Sequence, residues 1–168
     1  KGIQRQLAFG GNFSYNHKTL HLGVNGIQYK FKLPLIKSAD PYNKYALSGN
    51  SFGNYSFDYS YTFRNLHIFG EAAFTSKFDK AFVQGIIFSA SSRADLTILY
   101  RNISRSYQSL YSYAFTEGTY PINEKGLYAG VTIRPGGSWR VDVYADFYKF
   151  PWLRYRVDAP SSGTDQLI

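Results

Sequence analysis

Strict two-residue alternation of apolar and polar side chains is the feature that most constrains the fold of this chain. Over residues 55–63, aromatic residues occupy every odd position, and serine, aspartate or threonine occupies every even position. Side chains of a β-strand point alternately to its two faces, so this pattern predicts a strand with one apolar and one polar face. The sequence contains no comparable helical pattern. We therefore expect an all-β fold.

The same alternation recurs along the 168 residues and predicts about eight strands. The segments are residues 7–15, 20–31, 55–63, 66–74, 81–90, 96–101, 127–134 and 139–147. In the second segment the apolar parity switches across Asn25 and Gly26, which predicts a bulge or an extra turn. Residues 81–90 are apolar on both faces, so their orientation stays open.

Short and long connections alternate between these strands. The tight connections are residues 16–18, 64–65, 91–94 and 135–138. The intervening connections are long, with residues 75–80 as a short exception, and comprise 32–49, 104–126 and 150–163. This order places tight turns at one end of an antiparallel up-and-down sheet and loops at the other, as in bacterial outer-membrane barrels.

Composition bears on the choice between a soluble and a membrane barrel. Apolar residues make up 44% of the chain and aromatic residues 19%, yet the mean hydropathy is −0.31. A membrane barrel reconciles these values, because its polar lumen offsets its apolar exterior. Tyrosine and tryptophan also gather near strand ends, as in interfacial girdles. We therefore expect residues 1–168 to form one segment of an antiparallel up-and-down transmembrane β-barrel in the bacterial outer membrane, with no separate soluble domain.

The end of the sequence suggests that the barrel has more than eight strands. Residues 161–168 look like a loop that runs into a ninth strand. Eight strands can close a small barrel, so a ninth predicts that the chain is part of a larger one. The rest of that barrel is then an expected partner of this chain.

Charged residues on the polar face form the first candidate site. They are Glu71, Arg101, Arg134, Arg140, Asp142 and Asp146. If residues 127–134 and 139–147 pair as a hairpin, like-facing positions lie about 5 Å apart, and the arginines and aspartates form a charge ladder in the lumen. Such a ladder either contacts solutes and sets selectivity, or braces the barrel wall. The sequence leaves both interpretations open.

The loop at residues 150–163 is the second candidate site. Its candidate contact residues are Trp152, Arg154, Tyr155, Arg156 and Asp158. Such aromatic and bidentate groups suit a plug in the barrel mouth or a dock for another envelope protein. Contact with lipopolysaccharide is a further interpretation, and so is a clamp for single-stranded nucleic acid. The net charge of +8 suits either phosphate-bearing partner.

Catalytic and metal sites gain no support from the sequence. It lacks the nucleophile elbow, the phosphate-binding loop, the dinucleotide glycine motif and the zinc-protease motif. It has no cysteine, which excludes disulfides and thiolate metal sites. Ser112, Glu117 and Glu124 are interpreted as solvated loop residues, and His17 and His21 as residues flanking a turn. We expect no enzyme activity, metal or cofactor.

Several segments resemble a family of large Bacteroidetes outer-membrane proteins. They are residues 99–102 (LYRN), 107–112 (YQSLYS), 114–118 (AFTEG), 123–128 (NEKGLY) and 144–163 (YADFYKFPWLRYRVDAPSSG). In that family a helix-hairpin-helix segment of the competence DNA-uptake type precedes a long β-barrel. The resemblance runs through most of the chain and is densest over residues 99–163, so it implies a barrel and an outer-membrane location. The helix-hairpin-helix segment is not among these residues, and its DNA-binding role is not carried over.

We therefore expect a non-enzymatic outer-membrane β-barrel protein that acts in transport or as a component of an envelope complex. Its expected partners are outer-membrane lipid, lipopolysaccharide and other envelope proteins. The alternative is a DNA-uptake-linked barrel whose basic loops contact nucleic acid. A soluble ligand-binding β-barrel is the third hypothesis.

Overall fold

The computed structural model describes residues 3–167, which form nine strands in one antiparallel up-and-down sheet. The strands are β1 (Gln6–His17), β2 (Leu20–Leu35), β3 (Gly49–Phe63), β4 (Leu66–Thr75), β5 (Lys80–Ser91), β6 (Ala94–Ile103), β7 (Glu124–Ile133), β8 (Val141–Phe150) and β9 (Ser161–Leu167). Each strand pairs with the next along the chain, so β1 and β9 are the edges of an open sheet. A 3-10 turn at Pro41–Asn43 lies between β2 and β3. The predicted all-β, up-and-down architecture is confirmed.

The connections divide the sheet into two ends. Tight turns join β1 to β2, β3 to β4, β5 to β6 and β7 to β8, and they define the turn end. Residues 36–48, 104–123 and 151–160 connect strands at the opposite end, which we call the loop end. Within residues 3–167, no helix is long and apolar enough to cross a membrane.

The two faces of the sheet differ in exposure, and β6 shows the difference clearly. Ile98 is 51% exposed, whereas its neighbour Leu99 is 8% exposed. Arg101 lies on the same face as Leu99 and is buried against Phe115 of the 104–123 loop. We call this covered face the inner face and the opposite one the outer face.

The outer face is both apolar and exposed. Its exposed side chains include Phe13, Val24, Phe57, Phe63, Phe88, Leu96, Ile98, Leu127, Val143 and Phe147. The inner face carries the serines, aspartates and threonines that alternate with them. The sheet therefore has the inverse of the polarity of a soluble barrel, whose apolar residues line its interior.

The predicted bulge or extra turn at Asn25 and Gly26 is wrong. Asn25 lies opposite Asn12 on β1 and Ser56 on β3, and the register continues through Gly26. The register shift of β2 lies farther along, between Lys30 and Leu35.

In β2 the apolar residues change from even to odd positions, and therefore from the outer to the inner face. The cause is that loops cover the inner face beyond this point. Beyond Gly26, toward the loop end, Tyr29 points inward and is buried against Tyr111 of the 104–123 loop. Phe52 lies opposite Tyr29 on β3 and is also buried, while Lys30 faces outward. Near the loop end, β2 and β3 thus carry aromatic side chains on the inner face, where loops exclude water, and polar side chains on the outer face.

The orientation of residues 81–90 follows from one glycine. Phe82, Ile86 and Phe88 lie on the outer face, and Gly85 lies on the inner face beneath the ring of Phe69. A methyl group at Gly85 would overlap that ring. Gly85 thus leaves room on the inner face of β5 for the Phe69 ring of the neighbouring strand.

Two boundaries near the end of the chain differ from the prediction. Strand β8 begins at Val141 rather than at residue 139, because Gly136 and Gly137 adopt positive φ angles and hold Trp139 in the preceding turn. The expected ninth strand is present as β9, which pairs with β8 and begins at Ser161 with no preceding loop residues in the 161–167 segment. The predicted 150–163 loop is therefore shorter and spans 151–160, and Ile168 lies outside the described residues.

Candidate functional site

Residues 104–123 fold back over the inner face, and we call them the plug loop. Their partners on the sheet include Gln6 on β1, Tyr29 on β2, Asn54 on β3 and Tyr128 on β7. Asn54 Nδ2 donates a hydrogen bond to the Gln108 carbonyl at 2.9 Å, and the Tyr111 hydroxyl donates to Gln6 Oε1 at 3.2 Å. Tyr107 is buried, and desolvation raises the pKa of its hydroxyl. The plug loop thus reaches from the first strand to the seventh and covers the inner face of the sheet near the loop end.

A buried ion-pair cluster lies beneath the plug loop. Arg101 Nε donates to Glu124 Oε1 at 2.5 Å, and Arg101 Nη1 donates to Asp146 Oδ1 at 2.9 Å. Arg101 and Glu124 are 0% exposed and Asp146 is 3% exposed. Gly126 lies under the guanidinium, where a methyl group would overlap it. Three adjacent strands, β6, β7 and β8, therefore meet in one cluster that holds two carboxylates and one cation.

Glu124 connects this cluster to the plug loop. Its carboxylate accepts hydrogen bonds from the backbone N–H of Glu117 at 3.1 Å and of Gly118 at 3.3 Å. Desolvation, followed by the nearby carboxylate of Asp165 on β9, raises the pKa of the Glu117 side chain. Arg101 thus positions Glu124, and Glu124 holds the backbone of the plug loop.

Asn123 links the plug loop to the 151–160 loop. Its side-chain amide donates to the Trp152 carbonyl at 2.9 Å and accepts from the Trp152 N–H at 2.8 Å. The Trp152 indole N–H donates to the Pro41 carbonyl at 3.1 Å, so the first loop is joined as well. Asn123 has a φ of 56°, in the left-handed region that asparagine tolerates better than most residues. The three long loops of the loop end, 36–48, 104–123 and 151–160, therefore form one connected layer.

A cavity of about 680 Å³ opens between these three loops, and we call it the mouth cavity. Its wall carries three cations, Lys37, Arg105 and Arg154. It also carries six aromatic side chains, those of Tyr42, Tyr45, Tyr120, Phe150, Trp152 and Tyr155. None of the three cations forms an ion pair within residues 3–167.

Carboxylates are absent from the described wall of the mouth cavity. Asp40 lies beside it and accepts hydrogen bonds from the Ser38 hydroxyl at 2.5 Å and the Tyr42 hydroxyl at 2.9 Å. These hydrogen bonds lower the pKa of Asp40. Arg105 lies over the ring of Tyr45 and Arg154 over the ring of Phe150, at 4.9 and 3.9 Å from the ring centroids. The cavity is therefore aromatic and cationic, which suits an anionic ligand with a flat or apolar body.

The predicted charge ladder does not form among the described residues. Across the hairpin, Asp142 lies opposite Thr132 and Asp146 lies opposite Tyr128. Arg134 follows the end of β7 and Arg140 precedes β8, so neither pairs with an aspartate across the hairpin. Arg140 pairs instead with Asp142, two residues along its own side of the hairpin.

The six predicted lumen residues fall instead into three places. Arg101 and Asp146 belong to the buried cluster. At the turn end, Arg134 pairs with Asp95 at 2.7 Å and Arg140 pairs with Asp142 at 2.7 Å. Glu71 lies opposite Asp58 and forms no ion pair in the described part of the chain.

Only some of the predicted contact residues of the 151–160 loop lie in the wall of the mouth cavity. Trp152, Arg154 and Tyr155 line the mouth cavity. Arg156 lies over the ring of Tyr155, outside the wall, and Asp158 is exposed to solvent. This loop therefore borders the mouth cavity, whereas the inner face of the sheet is covered by the plug loop.

Sequence reasoning missed Glu124, which was interpreted as a solvated loop residue. The structure makes it the first residue of β7, buried against Arg101. The signal was the alternation of Glu124, Gly126 and Tyr128 with outward Lys125 and Leu127, which extends the predicted strand by three residues. No group of side chains among residues 3–167 has the composition of a metal site.

No protein-family model matches the chain, and no curated protein matches it. The resemblance to Bacteroidetes outer-membrane proteins therefore stays a prediction.

Proposed function

We propose that this chain is a wall segment of a bacterial outer-membrane β-barrel whose lumen is obstructed by the plug loop, acting in transport or in an envelope complex. The observation that carries the proposal is the exposed apolar outer face. Phe57, Ile98 and Phe147 are each roughly half exposed on strands from across the sheet. A continuous apolar surface of this extent is unfavourable in water and favourable in hydrocarbon.

Strand length and polarity support the same proposal. A tilted strand needs about 9–11 residues to cross the hydrocarbon layer, and β4 to β8 have 10 to 12. Strands β2 and β3 have 16 and 15 residues, and their extra length lies where the polarity of the two faces inverts. We interpret the inversion as the level at which these strands leave the hydrocarbon layer for water.

Two polar side chains in the middle of the outer face satisfy each other. The Tyr59 hydroxyl donates to Gln84 Oε1. Gln84 Nε2 in turn donates to the carbonyls of Phe69 at 2.9 Å and Gly85 at 3.1 Å. Polar groups that face hydrocarbon require such internal partners, because the lipid offers none.

The open edges require further strands. In a nine-strand meander β1 and β9 run parallel, so they cannot close the barrel as an antiparallel pair. Single-chain bacterial barrels have an even number of antiparallel strands, and an unpaired edge is excluded from hydrocarbon. We therefore propose that an odd number of additional strands completes this barrel.

The mouth cavity and the plug loop suggest how the barrel would act. A solute that crosses must first displace the plug loop, and the mouth cavity offers an anionic solute or a partner protein a first contact. No catalytic motif accompanies these features, so the proposed role is non-enzymatic.

A DNA-uptake-linked role is the second candidate, and the mouth cavity is the observation that favours it. Unpaired cations interleaved with aromatic rings can bind phosphates and stack on bases. Binding to a single-stranded oligonucleotide with a logarithmic salt slope of about −0.7 per contacted phosphate would support this role. The absence of such binding would exclude it.

Cell fractionation of the full-length protein, followed by detergent extraction and a heat-modifiability gel, tests the main proposal. Recovery in the outer membrane with a heat-dependent mobility shift is the expected result. Recovery in the soluble fraction without a shift would contradict it and favour a soluble ligand-binding protein.

A further inference from the structure

Three polar side chains form a row on the outer face near the loop end. Asn102 on β6 lies opposite Lys125 on β7, and Lys125 lies opposite Lys149 on β8. Lys125 stands between Glu124 and Gly126, which are both buried on the inner face, so its own side chain points outward. The alternation of β6 and β8 gives Asn102 and Lys149 the same orientation.

Lys125 and Lys149 form a directly opposed pair of like charges. Such neighbours have Cβ atoms about 5 Å apart, and like charges at this position destabilise a sheet. Both lysines are exposed, and neither forms an ion pair within residues 3–167. An anion between the two ammonium groups would remove the repulsion, and Asn102 adds an amide donor beside it.

The surface below this row is apolar. The next outward positions toward the turn end are Tyr100, Leu127 and Phe147, which lie opposite one another on the same three strands. All three side chains are exposed. A ligand on this part of the sheet therefore meets cations at its head and aromatic and aliphatic groups along its tail.

We propose that Lys125, Lys149 and Asn102 bind the phosphate of a membrane lipid whose acyl chain lies along Tyr100, Leu127 and Phe147. This inference rests on the proposed membrane location of the outer face. Basic residues near an anionic lipid surface each strengthen attraction to it, and two opposed lysines concentrate that attraction on one phosphate.

Native mass spectrometry of the full-length barrel with phosphorylated lipid A, and with the same lipid after removal of its phosphates, tests the site. We expect retention of the phosphorylated form, weakened roughly fivefold by Lys125→Gln or Lys149→Gln and more than tenfold by the double variant. Lys30→Gln is the matched control, because Lys30 faces outward near the loop end but lies opposite Ser51 instead of a cation. We expect Lys30→Gln to weaken retention less than about twofold.

Three outcomes would overturn the proposal. Equal retention of both lipid forms would show that phosphate is not recognised, and equal effects of Lys30→Gln and Lys125→Gln would show that the opposed pair has no special role. Displacement of the lipid by millimolar inorganic phosphate would assign the site to a free anion.

Failure of the lipid site is distinguishable from failure of the barrel proposal. If the outer-membrane proposal fails, the wild-type protein lacks both membrane recovery and the heat-dependent mobility shift. If only the lipid site fails, the double variant and the wild type both retain these properties and bind phosphorylated lipid A equally.

Discussion

The inner face carries two groups of ion pairs with similar distances and different surroundings. At the loop end, Arg101 contacts Glu124 and Asp146 at 2.5 and 2.9 Å, and all three side chains are buried. At the turn end, Arg134 and Arg140 each contact an aspartate at 2.7 Å, in side chains open to water. The plug loop covers only the first group. The distances between charged atoms are similar in the two groups, so we expect access of water to decide how much each group contributes to the free energy of unfolding.

Loss of the buried arginine should have the largest effect. Arg101→Met leaves Glu124 and Asp146 buried without a counterion, and we expect the free energy of unfolding to fall by about 3–5 kcal/mol. Denaturant titration of the folded protein measures this change. A loss below about 1 kcal/mol would show that water reaches the cluster and that the comparison is mistaken.

The space above Gly126 gives a second, smaller test. Gly126→Ala places a methyl group against the Arg101 guanidinium, and we expect a loss of about 1–3 kcal/mol from overpacking. Gly11→Ala is the matched control, because nothing lies within 4 Å of a Cβ built at Gly11. Equal midpoints for the two variants in denaturant titration would contradict the described packing.

At the turn end we expect little change. Arg134→Gln breaks the ion pair with Asp95 in a solvated setting, so the free energy of unfolding should fall by less than about 1 kcal/mol. Raising the salt concentration should reduce even this difference, because solvated charges are screened. A loss as large as that of Arg101→Met would remove the distinction between the two ends.

The pKa of Glu117 provides the finest test of the plug loop. The pKa of Glu117 is raised when the plug loop packs on the inner face. Packing of the loop is therefore most stable below the ordinary carboxyl pKa, and this stabilisation is lost as pH rises through the raised pKa. We expect hydrogen exchange in residues 104–123, corrected for its intrinsic pH dependence, to show weaker protection at about pH 8 than at about pH 4, below the ordinary carboxyl pKa. Glu117→Gln should abolish this difference, and its persistence in that variant would assign the pH effect to another group.

The strands were predictable because alternation is a local signal. Residues 55–63 lie within β3, and the tight turns and long loops alternate as expected. Which side chains of the inner face are buried could not be predicted in the same way. Tyr29 is buried because a loop distant in sequence covers it, and nothing within a few residues of Tyr29 reports that cover. The alternation that begins at Glu124 is local, but its partner Arg101 lies 23 residues away. The hairpin expected from residues 127–134 and 139–147 forms, but its register places Asp142 opposite Thr132 and Asp146 opposite Tyr128. The predicted ladder therefore does not form across the hairpin, and only the Arg140–Asp142 pair is present.

Site-directed spin labelling along β6 tests the central claim that the apolar outer face lies in lipid. The sequence has no cysteine, so single cysteines at Leu96, Thr97, Ile98 and Leu99 can each carry a nitroxide without background. In bilayers, the labels at positions 96 and 98 should be more accessible to oxygen than those at 97 and 99, and less accessible to a polar nickel reagent than the label at 97. The label at position 99 lies on the covered inner face, so both reagents should reach it poorly. Higher oxygen accessibility at positions 97 and 99 than at 96 and 98 would contradict the claim that the outer face lies in lipid. Equal accessibility of all four labels to the nickel reagent would contradict it as well.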